Sequence, residues 1–267
     1  MVYGSASFWT PMGIAGVLQY GFEIMIRGIL FDKDGTLLDL EKTWIPPYRQ
    51  AAKYIADLAQ RPELADRLMV VGGYDPDTRQ WTTDSVLASG SNDDVVRTWE
   101  SEIGFDLTRE KQEYIRSRFF LSSVQHIPIM DNLGYLMHEI QSFGVVLGVA
   151  TMDDESSART MLRAFDLHHA FEFVCGADSG HGVKPDPGMI RAFCRSCNLQ
   201  QDEVMVVGDS PKDLHMARNA KVGMAVGVLS GAHDKSQLES DADIILQSIE
   251  ELPKLLESRL LNNRVPA

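Results

Sequence analysis

The stretch Phe31-Asp32-Lys33-Asp34-Gly35-Thr36-Leu37-Leu38-Asp39 places two aspartates, Asp32 and Asp34, two positions apart directly after the apolar run at residues 28–31. That run predicts a short buried strand, so both carboxylates stand where a strand turns into a loop. Like charges this close repel each other unless a cation neutralises them, and Gly35 permits a tight turn. The pattern predicts a divalent metal ion and a reacting electrophile such as a phosphoryl group, although a bare Asp-x-Asp is also compatible with an ordinary acidic turn.

Three later segments add polar residues at the ends of apolar runs. One apolar run ends in the hydroxyl residue Thr151, a Lys-Pro-Asp-Pro segment begins with Lys184, and another apolar run ends in Asp209. Together with the Asp-x-Asp-Gly-Thr-Leu segment that begins at Asp32, they resemble the four motifs of the haloacid dehalogenase superfamily, in that superfamily's order. The resemblance covers nearly the whole chain after Met25, and within the superfamily it indicates phosphoglycolate-phosphatase-like hydrolases with a helical cap.

This resemblance implies separate roles for the first two aspartates. Asp32 is the expected nucleophile, whose carboxylate attacks phosphorus to form an aspartyl-phosphate that water then hydrolyses. Asp34 is the expected general acid and base, which protonates the leaving alcohol and then activates the water. True dehalogenases lack an acid at this second position, so the resemblance favours a phosphatase or phosphotransferase over a dehalogenase.

The resemblance also implies a Mg²⁺ site, because this ion prefers hard oxygen ligands and bridges readily to phosphate. The expected ligands are the carboxylates of Asp32 and Asp209 and the backbone carbonyl of Asp34. Asp213, four residues after Asp209, is expected either as a more distant metal ligand or in a supporting position. An acid at a helix N-terminus, favoured by the helix dipole, is the alternative for Asp213.

Two further residues are expected to contact the phosphoryl group. Thr151 is expected to donate a hydroxyl hydrogen bond to it, and Lys184 to neutralise charge on it and on the nucleophile. The two prolines that follow Lys184 stiffen its loop. The superfamily often has Asn after this Thr, whereas this chain has Met152-Asp153-Asp154, and an acid so close to a phosphate site is unexpected.

The alternation of apolar runs and amphipathic segments after Met25 predicts an α/β fold with a parallel sheet and helices on both faces. The resemblance implies a three-layer, Rossmann-like core. The predicted core strands are Arg27–Asp32, Val145–Thr151, Glu172–Gly176, Val204–Asp209 and Gly223–Val228, with Ala242–Leu246 as a further edge strand. The predicted core helices are Asn132–Ser142, Ser156–Phe165, Pro187–Cys197 and Pro211–Asn219.

More than a hundred residues separate the first two core strands, and a simple crossover connection needs far fewer. We therefore expect an inserted, mainly helical cap at residues 41–127, with the catalytic core formed by residues 25–40 and 128–267. The predicted cap helices are Ile45–Gln60, Pro62–Val71, Asp93–Ile103 and Arg109–Leu121.

Local signals add detail to the predicted cap. Pro46-Pro47 favours the start of its first helix at that point, and Ser91 with Asp94 three residues later is typical of a helix N-cap. The segment Asp75-Pro76-Asp77-Thr78 predicts a turn, which either joins two short strands or lies in a loop.

The composition bounds the class of protein. The chain has 267 residues, 44% of them hydrophobic, and a net charge of −13, so it can bury a sizeable core, and nucleic acid or membrane is not expected as a partner. Its three cysteines, including the pair Cys194 and Cys197, are too few for a disulfide framework and indicate a reducing compartment, the cytoplasm. We expect that pair to lie on a helix rather than to bind zinc or act in redox chemistry.

Residues 1–24 precede the first predicted strand. The segment is apolar but interrupted by Pro11, Gln19 and Glu23, and it lacks the basic start of a secretory signal. We expect an N-terminal extension that belongs to neither domain, and a translation start assigned too early, with Met25 as the true start, is the simplest explanation.

The hypothesis from sequence is a Mg²⁺-dependent phosphatase that hydrolyses a small phosphomonoester metabolite, in a monomer or homodimer. The alternatives are a phosphomutase of the same superfamily and a non-catalytic binding protein with this fold. Six cap residues either face the substrate, lie in the cap core or lie on the surface, and the sequence leaves that choice open: Trp44, Tyr48, Arg49, Arg79, Trp81 and Arg97.

Overall fold

The structure is a computed structural model that describes residues 25–122 and 126–262. The predicted N-terminal extension, residues 1–24, lies outside the described residues, as do residues 263–267 at the end of the predicted core. No described helix is both long enough and apolar enough to cross a membrane.

The described residues alternate between strands and helices in the predicted manner. The strands are β1 (Gly28–Phe31), β2 (Tyr74–Asp75), β3 (Gln80–Trp81), β4 (Val146–Ala150), β5 (Phe171–Cys175), β6 (Val204–Gly208), β7 (Met224–Val228) and β8 (Ile244–Leu246). The helices are α1 (Leu40–Leu58), α2 (Leu64–Val71), α3 (Val86–Ser89), α4 (Asn92–Ile103), α5 (Arg109–Ser122), α6 (Leu133–Gln141), α7 (Glu155–Ala164), α8 (Gly188–Cys197), α9 (Pro211–Ala220), α10 (Lys235–Leu238) and α11 (Leu252–Asn262).

Six of the strands form one sheet in the order β5-β4-β1-β6-β7-β8, and every neighbouring pair in it is parallel. Side chains alternate between its faces, as they must along a strand: Ile29 and Phe31 join one apolar cluster, while Leu30 joins a cluster on the other side. The sheet is thus covered on both faces, which explains why β1 is apolar throughout. The predicted α/β fold is confirmed, with β8 at the predicted edge.

The core helices follow the predictions within a residue or two. Helices α6, α7, α8 and α9 correspond to the four predicted ones. Helix α8 carries both Cys194 and Cys197, and these thiols and that of Cys175 are free. The expectation of two helix-borne cysteines is therefore confirmed.

Helices α1 to α5 lie between β1 and β4, and we call residues 40–122 the helical insertion. Its buried apolar side chains, among them Tyr48, Trp99 and Phe119, form a cluster separate from the two that cover the sheet. Ser91 and Asp94 form a capping box at the start of α4, and the turn predicted at Asp75 joins β2 to β3 in an antiparallel pair. How the chain divides into a core and a cap stays a prediction.

Helix α1 corrects one expectation. It begins at Leu40 rather than Ile45 and continues through Pro46 and Pro47, which the sequence analysis took as its start. The side chain of Asp39 caps the helix by accepting a hydrogen bond from the backbone N–H of Lys42 at 3.0 Å. This cap and the burial of the first turn against the core give the helix an earlier start than the prolines alone indicate.

The chain enters and leaves the helical insertion side by side. Leu38 and Pro128 form an antiparallel bridge. The backbone N–H of Asp39 donates to the carbonyl of Ile127, and that of Ile129 donates to the carbonyl of Leu37, each at 2.9 Å. The two connecting segments are therefore held together by backbone hydrogen bonds.

Candidate active site

Three neighbouring strands end at the same edge of the sheet, and a polar residue follows each of them. Asp32 follows β1, Thr151 follows β4 and Asp209 follows β6. The backbone N–H of Asp32 still bonds the carbonyl of Val207, at 2.8 Å, which extends the pairing of β1 with β6. The carboxyl ends of parallel strands are the usual location of ligand sites in such sheets, and here that edge is occupied by the predicted site residues.

Three carboxylates meet at this edge. One oxygen each of Asp32, Asp209 and Asp213 lies within 4.8 Å of the others, and all three side chains are at most 9% exposed. Burial raises the pKa of Asp32 to about 7 against the opposing effect of Lys184. Burial also raises the pKa of Asp209 well above its usual value, and the charges of Asp32 and Asp213 add to that effect. The cluster carries negative charge that its neighbours do not neutralise, and hard carboxylate oxygens in that state fit Mg²⁺.

Lys184 reaches this cluster from the loop between β5 and α8. Its buried ammonium contacts Oδ1 of Asp32 and lies 2.6 Å from Oδ1 of Asp213. Burial by itself would lower the pKa of Lys184, but the carboxylates of Asp213 and Asp32 outweigh that effect and raise it. Lys184 therefore stays charged beside the predicted nucleophile.

Two alternatives were open for Asp213 from the sequence, a place beside the metal site or a place at a helix N-terminus, and the structure combines them. It lies in the first turn of α9, where its Oδ2 accepts hydrogen bonds from the backbone N–H and the hydroxyl of Ser210, at 3.1 and 2.5 Å. Its other oxygen, Oδ1, faces Lys184. One carboxylate thus caps the helix and also belongs to the acidic cluster.

Two glycines bring backbone close to Asp209. Gly35 has a φ of +84°, and a Cβ there would lie 2.6 Å from Cγ of Asp209; a Cβ on Gly231 would lie 1.8 Å from its Oδ2. That oxygen accepts a hydrogen bond from the backbone N–H of Ala232 at 3.1 Å. Only glycine fits at both positions, and the loops they form fix the orientation of this carboxylate.

Asp34 lies on the side of the site that faces the helical insertion. Its Oδ1 accepts a hydrogen bond from the indole N–H of Trp44 at 2.5 Å, and its Oδ2 lies 3.3 Å from the ammonium of Lys33. Burial raises the pKa of Asp34, although the Lys33 charge opposes this. A carboxyl group with a raised pKa, close to the nucleophile, suits proton transfer to and from a substrate.

Lys33 and Asp153 form a buried ion pair that the sequence analysis missed. The side chain of Lys33 is fully buried, and its ammonium donates to Oδ2 of Asp153 at 2.6 Å. Burial would raise the pKa of Asp153, but Lys33 lowers it. The acid that seemed misplaced beside a phosphate site is thus neutralised by a lysine from the loop after β1. The sequence signal that could have revealed this pair is the presence of opposite charges in the two loops that follow the neighbouring strands β1 and β4.

Asp153 also connects the site to the helical insertion. Its Oδ1 accepts a hydrogen bond from the side-chain amide of Asn92 at 3.2 Å. Its backbone N–H donates to the hydroxyl oxygen of Thr151 at 3.1 Å. Since that oxygen acts as the acceptor, the hydroxyl proton of Thr151 remains available for a substrate oxygen.

These residues surround one pocket, which is partly open to solvent. The sheet side contributes the predicted residues Asp32, Asp34, Thr151, Lys184 and Asp209, while Asp213 lies behind them. The helical insertion contributes Leu40, Trp44, Tyr48, Leu87, Ala88, Ser89, Gly90 and Asn92. Trp44 and Tyr48 thus face the pocket, with their rings stacked 5.3 Å apart.

The other four cap residues singled out from the sequence lie elsewhere. Arg49 is exposed, Arg79 pairs with Glu41, Arg97 pairs with Asp94, and the ring of Trp81 packs against a tyrosine. None of the four lines the pocket, so they are part of the surface or the packing of the insertion.

The family is decided by a match that spans most of the chain. Residues 29–227 match the model of the haloacid dehalogenase-like hydrolases. The chain belongs to this family. The predicted superfamily is therefore confirmed, and the four segments that carried the resemblance all fall within the matched residues of this hydrolase.

Relatives of this hydrolase include proteins with more specific names. A phosphoglycolate phosphatase from Rhodospirillum rubrum is 33% identical over 105 residues, which cover 39% of this chain but only 43% of that protein. An N-acetylmuramic acid 6-phosphate phosphatase from Pseudomonas putida is 24% identical over 238 residues, covering 88% of this chain and 98% of that protein. A solved structure described as a predicted phosphoglycolate phosphatase from Haemophilus somnus shares the fold, with a TM-score of 0.64 at 20% identity over 86% of this chain and 97% of that chain. The predicted likeness to phosphoglycolate-phosphatase-like hydrolases is confirmed.

Proposed function

We propose that this hydrolase is a phosphatase that cleaves a small phosphomonoester through an aspartyl-phosphate on Asp32. The observation that carries the proposal is the position of Lys184, whose buried ammonium contacts Asp32 at the mouth of a pocket that also holds Asp34 and Thr151. A nucleophile, a cation and a proton-transfer group within one pocket are what phosphoryl transfer to a carboxylate requires. The phosphatase names of the relatives support the same reaction class.

In the first half-reaction, the carboxylate of Asp32 attacks phosphorus while Lys184 and the hydroxyl of Thr151 stabilise the charge on the phosphoryl oxygens. Asp34 gives its proton to the leaving oxygen, which its raised pKa favours. In the second half-reaction the ionised Asp34 takes a proton from water, and the resulting hydroxide attacks the phosphorus bound to Asp32 and releases phosphate. Trp44 orients Asp34 throughout, through its hydrogen bond to Oδ1.

The acidic cluster would hold Mg²⁺ through the carboxylates of Asp32 and Asp209 and the backbone carbonyl of Asp34, with Asp213 beside them. Bound there, the ion supplies positive charge to the phosphoryl oxygens and helps to orient them. The raised pKa values of Asp32 and Asp209 support this proposal, because burial and the neighbouring carboxylates disfavour the ionised forms, which a bound cation would stabilise. Lys184 alone does not neutralise three carboxylates.

We further propose that the helical insertion acts as a cap, with the division at residues 41–127 that the sequence indicated. Trp44 and Tyr48 close one side of the pocket, and a cap of this kind excludes water and positions the leaving group. The partner is a small phosphorylated metabolite bound by a monomer or homodimer. The three free thiols support a reducing compartment such as the cytoplasm.

The first test is phosphate release from a panel of phosphomonoesters, measured with Mg²⁺ and with excess chelator. We expect release that requires Mg²⁺. The matched control is Asp32→Asn, which keeps the size of the side chain but removes the nucleophile, and its turnover should fall by about 10⁴-fold or more while the variant remains folded.

Three outcomes would contradict the proposal. Wild-type rates in folded Asp32→Asn would remove Asp32 from the chemistry. Conversion of a sugar phosphate to its isomer without phosphate release would favour a phosphomutase. Inactivity toward every ester, with Mg²⁺ bound, would favour a non-catalytic binding protein.

A further inference from the structure

The charges around the pocket do not balance. Among the described residues, five carboxylates surround the site but only two ammonium groups form ion pairs with them, so with every carboxylate ionised three would remain unpaired. A Mg²⁺ ion and a phosphomonoester dianion carry equal and opposite charges, so their joint binding leaves this excess unchanged. The carboxylates are Asp32, Asp34, Asp153, Asp209 and Asp213, and the ammonium groups are Lys33 and Lys184.

The leaving group of a substrate would lie between Asp34 and the helical insertion, since Asp34 protonates the leaving oxygen in the proposed reaction. Every described residue that the insertion contributes to the pocket lining is uncharged. The arginines that could have supplied a cation, Arg79 and Arg97, are paired with carboxylates on the surface. A second carboxylate on the substrate would therefore lie against an uncharged wall, with no cation from the insertion to neutralise it.

The same wall offers groups suited to hydroxyls. The hydroxyl of Tyr48 has no hydrogen-bond partner among the described residues, although the side chain is 4% exposed. The amide of Asn92 uses one N–H for Asp153, which leaves its other N–H and its oxygen free to bind. These neutral donors and acceptors match the hydroxyl groups of a polyol or sugar, which both donate and accept.

We infer that the leaving group is neutral and hydroxylated, so that this enzyme prefers sugar or polyol monophosphates and discriminates against phosphate esters that carry a second carboxylate, phosphoglycolate included. The inference rests on the proposed phosphatase function and concerns the same pocket. It differs from what the name of the Rhodospirillum rubrum relative would suggest for this chain. Leaving a buried carboxylate without a cation is costly, so a pocket wall without a cation rejects a substrate that carries one.

Lys212 is the residue that could defeat this inference. It is the one cation besides Lys184 among the described residues of the pocket lining. Its ammonium donates to the backbone carbonyl of Ser89 at 2.8 Å, which holds it against the end of α3. We expect this contact, rather than a substrate carboxylate, to be its role.

The test compares kcat/KM for two pairs of esters in which a carboxylate of one member is a hydroxymethyl group in the other. Phosphoglycolate is matched with ethylene glycol monophosphate, and phosphoglycerate with glycerol phosphate. We expect each neutral ester to be preferred by about tenfold or more, the factor that corresponds to about 1.4 kcal/mol. Equal rates within each pair, or a preference for the carboxylated ester, would overturn the inference and leave the phosphatase function intact.

Two variants and one control show which part of the pocket discriminates between the neutral and the carboxylated esters. Ser89→Lys adds a cation to the insertion side of the pocket and should reduce the preference for the neutral ester or reverse it, whereas Ser89→Met, of similar length, should not. Lys212→Met should change both members of a pair by the same factor. If Lys212→Met instead lowers kcat/KM only for the carboxylated esters, Lys212 recognises the carboxylate and the inference is wrong.

Failure of the proposed phosphatase function can be distinguished from failure of this inference alone. Absence of phosphate release from all four esters and from a reactive aryl phosphate, with Mg²⁺ present, would overturn the phosphatase function and this inference with it. Release from the aryl phosphate and the carboxylated esters alone would overturn only the inference.

Discussion

Two buried lysines, Lys184 and Lys33, each lie between two carboxylates on opposite sides of the same pocket. Lys184 contacts Asp32 and Asp213, and Lys33 contacts Asp153 and Asp34. The side chains of both are almost completely buried. The two groups therefore have the same composition but different surroundings.

The surroundings differ in which further groups lie near the carboxylates of each lysine. On the Lys184 side a third acid, Asp209, joins the two, and in the proposed function a metal ion neutralises it. On the Lys33 side the remaining interactions come from the helical insertion, namely the indole of Trp44 and the amide of Asn92. One side is thus an acidic cluster that we propose binds an ion, and the other contacts the insertion. The comparison shows that a buried lysine between two acids does not by itself indicate a catalytic group.

The largest expected effect is on stability at the Lys33 side. Lys33→Met leaves Asp153 and Asp34 buried without their cation, and breaking a buried ion pair by removing one partner costs about 3–5 kcal/mol. We expect the free energy of unfolding to fall by that amount, as measured by urea denaturation without metal.

The control for Lys33 removes both charges of the pair. Lys33→Met combined with Asp153→Asn should recover most of the lost stability, because the uncompensated carboxylate is gone. A double variant no more stable than Lys33→Met would show that the ion pair is not what Lys33 contributes.

The next effect is on turnover at the Lys184 side. Lys184→Met removes the cation beside the nucleophile, and we expect kcat to fall by about 10²–10³-fold, as for the loss of other donors to a transition-state charge. Mg²⁺ should raise the melting temperature of Lys184→Met, because the ion can neutralise the acids left behind, but should leave the deficit of Lys33→Met unchanged. Equal responses of the two variants to Mg²⁺ would contradict the difference between the two sides.

A smaller effect is expected in the pH dependence of stability. The pKa of Asp32 is raised in the folded protein from 3.8 to about 7, so between these values the native state holds a proton that the unfolded state has released. Without metal, this group therefore lowers the free energy of unfolding as the pH rises from about 4 to about 7, by an amount on the order of a few kcal/mol.

Asp32→Asn isolates that contribution, because asparagine does not titrate. The stability of the wild type minus that of Asp32→Asn, both measured in chelator, should decline across this pH range, and Mg²⁺ should abolish the decline by stabilising the ionised form. A difference that stays flat with pH would contradict the raised pKa of Asp32.

The smallest effect is expected where the insertion meets Asp34. Trp44→Phe keeps the ring but removes the indole N–H that bonds the carboxylate, and a hydrogen bond to a charged group is worth about 1.5–3 kcal/mol. We expect a fall of about tenfold in kcat. Trp99→Phe is the matched control, since the Trp99 indole bonds a backbone carbonyl in the core of the insertion and should affect stability rather than kcat.

Much of this fold and site could be predicted from the sequence because its signals are local. The strands are short apolar runs whose polar end residues, Asp32, Thr151 and Asp209, mark the carboxyl edge of the sheet. Parallel pairing then brings these residues together without any information about side-chain contacts. Their catalytic and metal-binding roles stay predictions.

What the sequence could not supply depends on contacts between distant segments. The pair of Lys33 and Asp153 joins two loops 120 positions apart, and neither residue alone differs from a surface charge. The early start of α1 depends on a cap and on tertiary burial, which outweighed the prolines as a signal. The orientation of Trp44 and Tyr48 toward the pocket follows from how the insertion packs, and no spacing rule predicts it.

The bridge between Leu38 and Pro128 has a consequence for how this protein could change over time or be redesigned. Because the chain leaves the sheet and returns to it through two segments bonded to each other, everything between them behaves as an exchangeable module. A different insertion, longer or shorter, could be joined at these two points without moving a strand. Such a replacement would have to keep the two contacts that the insertion makes with the site, from Trp44 to Asp34 and from Asn92 to Asp153.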